Sequence, residues 1–269
     1  QFINQYNFTQ FVMAIKGAGF VSSKQLNSQM TLDFAYTLYL MLRSDPTIPN
    51  EQIKRHVQKW FVLSTLTSRY IGSPETQMDR DMRNIEEKGF LNFKTEVEAS
   101  TLSETFWTVT LPQNLETSSV NSPAFNTFLA AQINLNCNSL LMKGTKISDL
   151  ITISGDVHHI FPRNYLKKNG IDNKTKYNQV ANYIYLDTQV NKAIGDDPPF
   201  AYFSKVREQC RTKAITLGNI SDEETLYCNL EDNSIPHHII SMDITDYESF
   251  LQERRKLMAK LMQRYYLEL

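Results

Sequence analysis

The stretch that decides how this chain is interpreted is Ser154-Gly155-Asp156-Val157-His158-His159-Ile160-Phe161-Pro162. Two adjacent histidines follow a short apolar run, and a proline closes the segment. Two further stretches belong with it, Ala181-Asn182-Tyr183-Ile184-Tyr185-Leu186 and Val190-Asn191-Lys192. Most of the remaining sequence is typical of helices with one apolar face. The pattern predicts a small hairpin-and-helix site within a helical protein.

Length and composition indicate a folded protein of more than one unit. The chain has 269 residues, which is enough for two or three units that share cores. Its apolar fraction is 41%, with 15 Phe and 13 Tyr, so the chain is not intrinsically disordered. Lys and Arg number 28 against 29 Asp and Glu, giving a formal net charge of -1. A polyanionic partner would therefore need a local basic patch.

The cysteines and the chain ends predict a cytoplasmic protein. Cys137, Cys210 and Cys228 are odd in number and widely spaced, which favours reduced thiols over a disulfide scaffold or a zinc ribbon. No apolar run approaches the roughly 20 residues that span a bilayer. The polar and aromatic amino end does not resemble a signal peptide. Because the sequence begins with Gln1 instead of Met, we expect it to be a piece of a longer protein.

Apolar residues at mixed three- and four-residue spacing predict helices in most of the chain. The expected helices cover 8–16, 31–43, 51–70, 74–88, 200–210 and 246 to the end. For the fourth of these, Ser73 suits the N-cap, Pro74 the first helical position and Gly89 the end. We therefore predict a mainly α fold, in which a helical body carries an embedded ββα hairpin-helix unit.

Several residues leave more than one structural interpretation open. Residues 106–111, Phe-Trp-Thr-Val-Thr-Leu, favour a short strand, with a helix end as the alternative. Asp79 and Asp81 are expected on a solvated helix face, with a supporting acidic site as the alternative. His56 is expected in solvent, and the pair His237-His238 at the surface or in a structural role. In the last helix, four basic residues are expected to point outward: Arg254, Arg255, Lys256 and Lys260.

The central histidines, unlike the others, have companions that fit hydrolysis of a phosphodiester. That reaction needs an activated water, charge neutralisation on the phosphate and stabilisation of the leaving alkoxide. One divalent cation with one histidine base supplies all three. Neighbouring strand residues point to opposite faces, so one of His158 and His159 can hold the metal while the other faces the attacking water. The alternative is that both histidines are structural.

These residues resemble a known nuclease motif. The HNH (ββα-metal) motif is similar to Asp156-Val157-His158-His159-Ile160-Phe161-Pro162 followed by Asn182 and Asn191. The two asparagines are 191 − 182 = 9 positions apart, which is similar to the spacing in the HNH domain of CRISPR effector nucleases. A wider likeness includes Tyr70-Ile71-Gly72-Ser73-Pro74-Glu75-Thr76 followed by Asp81, and Asn191-Lys192-Ala193-Ile194-Gly195 after the histidines. Together they resemble the C-terminal half of GmrSD-type restriction endonucleases, which are modification-dependent phage-defence enzymes.

The resemblance implies a role for each residue of the motif. His159 would be the general base, and Asn182 would pin the loop and orient that base. His158 and Asn191 would hold the metal. Asp156 shares the strand parity of His158 and either adds a metal ligand or caps the turn after Gly155. The expected ion is Mg²⁺, with Mn²⁺, Co²⁺, Ni²⁺ and Zn²⁺ as alternatives that an imidazole ligand accepts.

The resemblance also implies partners and a division of the chain. The predicted segments are a helical domain at 1–150, an HNH unit at 151–212 and a C-terminal helical segment at 213–269 that packs on the body. DNA is the expected substrate, and the likeness to modification-dependent enzymes points to modified phage DNA. Basic residues near the centre are the expected phosphate contacts, although each one alone also fits surface solubility. They are Arg163, Lys167, Lys168, Lys174, Lys176, Lys192, Lys205 and Arg207.

Two other functions also fit this sequence, and it lacks one domain that the GmrSD-type enzymes usually carry. The chain could be a catalytically silent module that binds DNA or a partner, or a zinc-stabilised structural domain. The latter is disfavoured because the cysteines lie far from the histidines and form no CxxC pair. GmrSD-type relatives usually carry an N-terminal, nucleotide-hydrolysing ParB-like half with an Asp-Gly-Gln-Gln-Arg-type motif. Neither that motif nor a P-loop is present in this sequence, so we predict no nucleotide site here. Either such a half lies outside this sequence, or a separate partner regulates the protein.

Overall fold

The structure is a computed structural model that describes residues 3–153 and 157–269. Its described part is mainly helical, which confirms the predicted mainly α class. The helices in chain order are α1 Gln5–Gly17, α2 Gln29–Ser44, α3 Asn50–Leu66, α4 Pro74–Lys88, α5 Phe90–Thr101, α6 Leu111–Asn114, α7 Pro123–Asn134, α8 Ile147–Ile153, α9 Arg163–Lys168, α10 Lys174–Tyr177, α11 Thr188–Ile194, α12 Pro199–Thr212, α13 Glu223–Asp232 and α14 Tyr247–Glu268. The strands are β1 His158–His159 and β2 Tyr183–Ile184.

The chain forms two compact units. The first consists of Gln1–Leu111, Asn121–Asn134 and Met262–Leu269, and the second of Pro112–Val120 and Leu135–Leu261. The three sequence segments predicted at 1–150, 151–212 and 213–269 remain a prediction. Within the described residues, no helix combines the length and the apolar character that crossing a bilayer requires.

The first unit has an aromatic core that follows from the helical spacing of its apolar residues. Trp60 of α3 is buried against Phe34 of α2 and Phe90 and Phe93 of α5, with ring centroids 5.5 to 6.3 Å apart. Six apolar residues of α3 are buried at helical spacing: Ile53, Val57, Trp60, Phe61, Leu63 and Leu66. Burial of such side chains contributes about 1.5–3 kcal/mol each, so this packing dominates the stability of the unit.

Two local predictions in the first unit differ from the structure. Helix α3 ends at Leu66 instead of residue 70, because Ser68 adopts a left-handed conformation with φ 53°. The strand favoured at 106–111 is wrong, since Phe106–Thr110 is a π-helix that continues into α6. There the Trp107 indole N–H donates to the carbonyl of Leu102 at 3.1 Å. The helical turn buries both aromatic rings, which outweighs their strand propensity.

Asp81 in α4 is also placed differently from the expected solvated face. Its side chain is 0% exposed, whereas Asp79 is exposed as predicted. The Arg69 guanidinium donates two hydrogen bonds to the Asp81 carboxylate, at 2.7 and 2.6 Å. The Tyr70 hydroxyl and the Gln77 amide each donate one more at 2.8 Å. A buried carboxylate is stable only with such partners, so this charge ties α4 to the end of α3.

The second unit is built around the short hairpin and α14. Strands β1 and β2 pair antiparallel, with His158 opposite Ile184 and His159 opposite Tyr183. Phe161, two residues after β1, is fully buried, and its ring centroid lies 5.2 Å from that of Tyr247 and 5.0 Å from that of Phe250, both in α14. A two-stranded hairpin is marginal in water, so this packing is what makes so short a pair of strands stable.

The prediction that all four basic residues of α14 point outward is wrong for two of them. Lys256 and Lys260 are exposed, but Arg254 is 1% exposed and Arg255 is 8% exposed. Arg254 lies at four-residue spacing from the buried Phe250 and Met258. That spacing places the three residues on one helix face, so Arg254 enters the core with its apolar neighbours.

Candidate active site

The candidate site starts from the two histidines on β1. Both side chains are half-buried, and both belong to the residues that the β1–β2 ladder fixes. The ladder is extended by a hydrogen bond from the Ile160 N–H to the Asn182 carbonyl, at 2.9 Å. The chain that follows the histidines is therefore held against the chain that precedes β2.

Asn182 fastens this part of the hairpin with its side chain. The residue is 0% exposed, and its Oδ1 accepts a hydrogen bond from the Phe161 N–H at 2.8 Å. Its Nδ2 donates to the carbonyls of Phe161 and Tyr177, at 3.1 and 3.3 Å. Asn182 thus pins the loop after the histidines, and none of these three contacts involves His159.

Arg254 reinforces the same loop from α14. Its guanidinium donates to the carbonyls of Ala181 and Tyr183 at 2.8 and 2.7 Å, on both sides of Asn182, and to the Asn233 carbonyl at 3.2 Å. Burial lowers the pKa of Arg254 to about 9, so the group stays charged at neutral pH. The sequence contained one usable signal for this role, which is the position of Arg254 between Phe250 and Met258 on the apolar face.

His159 is held by Asn178, a residue that the sequence interpretation missed. The His159 Nε2 lies 2.9 Å from the Asn178 Oδ1, and the imidazole meets the Tyr183 ring edge-on at 5.3 Å between centroids. Burial lowers the pKa of His159 below its ordinary value, the hydrogen bond to Asn178 opposes this, and the charges of Arg163 and His158 lower it further. His159 is therefore a neutral imidazole at neutral pH.

Asn191 lies on α11, which begins three residues after β2 ends. The Asp187 carboxylate caps this helix by accepting from the N–H groups of Gln189 and Val190 at 2.8 and 3.2 Å. The helix ends at Gly195, whose φ of 57° suits glycine. Asn191 is half-buried. The two histidines, Asn182 and Asn191 all belong to the second compact unit, in the chain order strand, strand, helix.

The residues available as metal ligands form a small and weakly charged set. Asp156, the possible additional ligand, lies outside the described residues. Across 3–153 and 157–269, no three His, Cys, Asp or Glu side chains form a group that could hold a metal ion. The described ligand candidates are therefore the imidazole of His158 and the amide oxygen of Asn191, and a cation there would complete its coordination with water and phosphate oxygens.

The basic residues near the site separate into two sets. Three of them are paired with carboxylates: Lys168 with Asp196 at 3.1 Å, Lys205 with Asp197 at 2.5 Å and Arg207 with Glu223 at 3.7 Å. The remaining five are exposed: Arg163 and Lys167 on α9, Lys174 and Lys176 on α10, and Lys192 on α11. The Lys167 ammonium also lies 5.2 Å from the centre of the Tyr177 ring.

The second histidine pair lies at the surface, as predicted. The Nε2 atoms of His237 and His238 lie 3.2 and 3.0 Å from carboxylates of Glu231 and Glu253, and all four side chains are largely exposed. Both histidines therefore form surface pairs with acidic residues.

No protein-family model, no curated protein and no solved structure matches this chain. The likeness to HNH and GmrSD-type nucleases consequently rests on the sequence residues quoted above.

Proposed function

We propose that this protein is a metal-dependent endonuclease of the HNH type that hydrolyses phosphodiester bonds in DNA. The observation that carries the proposal is the antiparallel β1–β2 pair with His158 and His159 on its first strand, followed at once by α11 with Asn191. A hairpin and a helix are the elements that a ββα-metal site requires, and they occur here in the required order.

In the proposed reaction, His159 removes a proton from the attacking water. A neutral imidazole that is held by one ring nitrogen has its other nitrogen available as a base. Asn178 holds Nε2 of His159, and burial keeps the ring neutral. Asn182 and Arg254 keep the loop after β1 fixed, so that the base does not have to be ordered when substrate binds.

The same proposal assigns His158 and Asn191 to a divalent cation. The amide oxygen of Asn191 is a neutral donor that suits Mg²⁺ or Mn²⁺ when phosphate and water oxygens complete the shell, whereas the imidazole of His158 is better matched to Co²⁺, Ni²⁺ or Zn²⁺. When bound, such a cation supplies charge neutralisation at the phosphate and stabilisation of the leaving oxygen. His158 and Asn191 are thereby ligands, and His159 alone is assigned to proton transfer.

We further propose that DNA lies along α9 and α10. The exposed cations Arg163, Lys167, Lys174 and Lys176 are close in sequence to the histidines and face water. Lys205, in contrast, is neutralised by a neighbouring carboxylate. The broader assignments to modified phage DNA, antiviral defence, the cytoplasm and a ParB-like half or separate regulatory partner belong to the same proposal and rest on the sequence resemblance.

The experiment that tests the function is plasmid cleavage with Mg²⁺, Mn²⁺, Co²⁺, Ni²⁺ and Zn²⁺ in turn. Wild type is compared with His159→Ala and Asn191→Ala, and with His238→Ala as a control that removes a surface histidine from the same unit. Loss of a general base lowers the rate about 10²–10⁴-fold, so His159→Ala should be nearly inactive while His238→Ala retains wild-type activity.

Two results would contradict this proposal. Equal cleavage by wild type and His159→Ala would remove His159 as the base. DNA binding without cleavage in any of the five metals would favour the alternative, a catalytically silent module that binds DNA or a partner through the same fold.

A further inference from the structure

The hydrogen bond between Asn178 and His159 indicates which ring nitrogen of the neutral imidazole carries the hydrogen. A neutral imidazole has one N–H and one bare nitrogen, and an amide oxygen only accepts hydrogen bonds. Because the Asn178 Oδ1 lies 2.9 Å from the His159 Nε2, the hydrogen belongs on Nε2. The bare nitrogen is then Nδ1.

Asn178 is itself held in place by the backbone around it. Its N–H donates to the Lys174 carbonyl at 3.1 Å, at the end of α10. The carbonyl of the preceding Tyr177 accepts hydrogen bonds from the Asn182 side chain at 3.3 Å and from the Tyr247 hydroxyl at 3.4 Å. The amide oxygen of Asn178 is thus presented by a loop that both α10 and α14 fix.

We propose that Asn178 is a positioning residue that fixes His159 in the tautomer with its hydrogen on Nε2, leaving Nδ1 as the nitrogen that accepts a proton. The Asn178 amide acts through the imidazole and does not itself contact substrate. The catalytic consequence rests on the proposed nuclease function, whereas the tautomer does not. This assignment also moves a task from Asn182, whose side chain makes three hydrogen bonds to backbone atoms of Phe161 and Tyr177.

The first test reads the tautomer directly and needs no activity. The full chain, labelled with ¹⁵N-histidine and free of metal, is measured by NMR at a pH where the imidazoles are neutral. The protein has five histidines, so the His159 signals are assigned by their loss in His159→Ala. The expected result is wild-type His159 with its hydrogen on Nε2. A hydrogen on Nδ1 would overturn the proposal whatever the protein's activity.

Three variants of Asn178 separate positioning from folding. Asn178→Asp keeps an oxygen acceptor and should retain the wild-type tautomer. Asn178→Leu keeps the approximate volume and Asn178→Ala removes the side chain, and both should show His159 shifting towards the tautomer with its hydrogen on Nδ1. If both apolar variants fold and keep the wild-type tautomer, the proposal is wrong. If they fail to fold, hydrogen exchange in wild type still decides it: a His159 Nε2–H that exchanges as fast as the ring N–H groups of the exposed His237 and His238 would show that Asn178 does not hold it.

The second test measures steady-state DNA cleavage. We expect Asn178→Leu to lower kcat with little change in KM, by no more than the about 10²–10⁴-fold that loss of the whole base costs, and Asn178→Asp to restore most of the lost rate. Active protein with an unchanged kcat in Asn178→Leu would refute the positioning role and leave the nuclease proposal intact. The correct tautomer in a protein that cleaves no DNA would refute the nuclease proposal alone.

Discussion

At the scale of single residues, His56 shows how far burial can depart from local polarity. His56 follows Lys54 and Arg55 in sequence, which favours a solvated position, yet both of its ring nitrogens are buried without a hydrogen-bond partner among the described residues. Its ring meets Phe90 edge-on, at 5.7 Å between centroids. The expectation of a solvated His56 is therefore wrong, because the packing of α5 against α3 covers the ring.

The burial of His56 predicts a pH dependence of stability. Burial, followed by the charges of Lys94 and Arg55, lowers the pKa of His56 below its ordinary value, and Glu98 opposes the shift. A histidine whose pKa is lower in the folded state stabilises the fold above its unfolded pKa of about 6.5, and this contribution is lost as the pH falls through the folded pKa. Wild type should thus lose stability between pH 7.5 and pH 5, as measured by urea unfolding.

The control for this prediction is a pair of substitutions. His56→Leu removes one of the two histidines whose pKa is lowered by burial and should reduce the pH dependence of the free energy of unfolding over this range. His238→Leu, at an exposed histidine, should leave that dependence as in wild type. An identical pH dependence in wild type and His56→Leu would mean that protonation of His56 is not coupled to folding.

Arg254 and Arg255 are adjacent basic residues that are both buried, and they bind different parts of the fold. Arg254 donates to three backbone carbonyls, whereas Arg255 donates to the Gln179 side-chain oxygen at 2.9 Å and lies 3.5 Å from the Glu116 carboxylate. The Arg254 planar guanidinium carries several N–H groups in a fixed arrangement, which lets it bond to carbonyls on both sides of Asn182. A lysine has no such fork and would not replace it.

At the scale of elements, α11 is the helix on which the proposed metal ligand Asn191 sits, and it is short. A helix of seven residues is not stable alone, so its cap and its packing decide whether Asn191 is held in place. The cap is the Asp187 side chain, and the buried contacts come from Val190 and Ile194. Residues beside the site therefore control its geometry without touching substrate.

The cap of α11 gives a prediction with a matched control. Asp187→Ala removes the cap of α11, and Asp222→Ala removes the equivalent cap of α13, where the Asp222 carboxylate accepts from the Thr225 N–H at 2.7 Å. Each change should cost about 0.5–2 kcal/mol of stability in thermal or urea unfolding.

Only the first of these substitutions should affect the proposed site. Isothermal titration calorimetry with a divalent metal should show weaker metal binding by Asp187→Ala and metal binding as in wild type by Asp222→Ala. Equal metal affinity in both variants, with equal losses of stability, would show that the orientation of α11 does not matter for the metal.

At the scale of the whole molecule, the distribution of charge matters more than its sum. The formal net charge is -1, and several cations are already neutralised by nearby carboxylates. Long-range attraction of DNA must then come from a patch, and α9 and α10 provide the exposed cations closest in sequence to His159. Arg163 is also close enough to lower the pKa of His159.

This distribution predicts which charges contribute to DNA binding. The double variant Arg163→Gln/Lys167→Gln on α9 should weaken binding of a short duplex and reduce its salt dependence, by a slope of about 0.9 for each phosphate contact removed. The double variant Lys205→Gln/Arg207→Gln on α12 removes the same number of charges, but both are paired with carboxylates. It should change affinity and slope much less.

Both variants are best measured by fluorescence anisotropy over a range of salt concentrations, in a His159→Ala background that does not cleave the duplex. Equal losses of affinity in the α9 and α12 variants would show that the protein responds to total charge. A larger loss in the α12 variant would place the DNA on the other side of the site.

The sequence alone was enough to predict the mainly helical fold, most helix positions and the exposed Lys256 and Lys260, because these depend on spacing and on neighbours a few residues away. Tertiary structure decided what becomes of similar residues in similar local contexts. It buried Arg254 while leaving Lys256 in water, and it joined Arg254 to a carbonyl 73 positions away. It also buried Asp81 and His56, and it gave the His159 contact to Asn178. The physical reason is that burial and hydrogen bonding over long chain separations depend on which surfaces pack together, and no local pattern of residues records that.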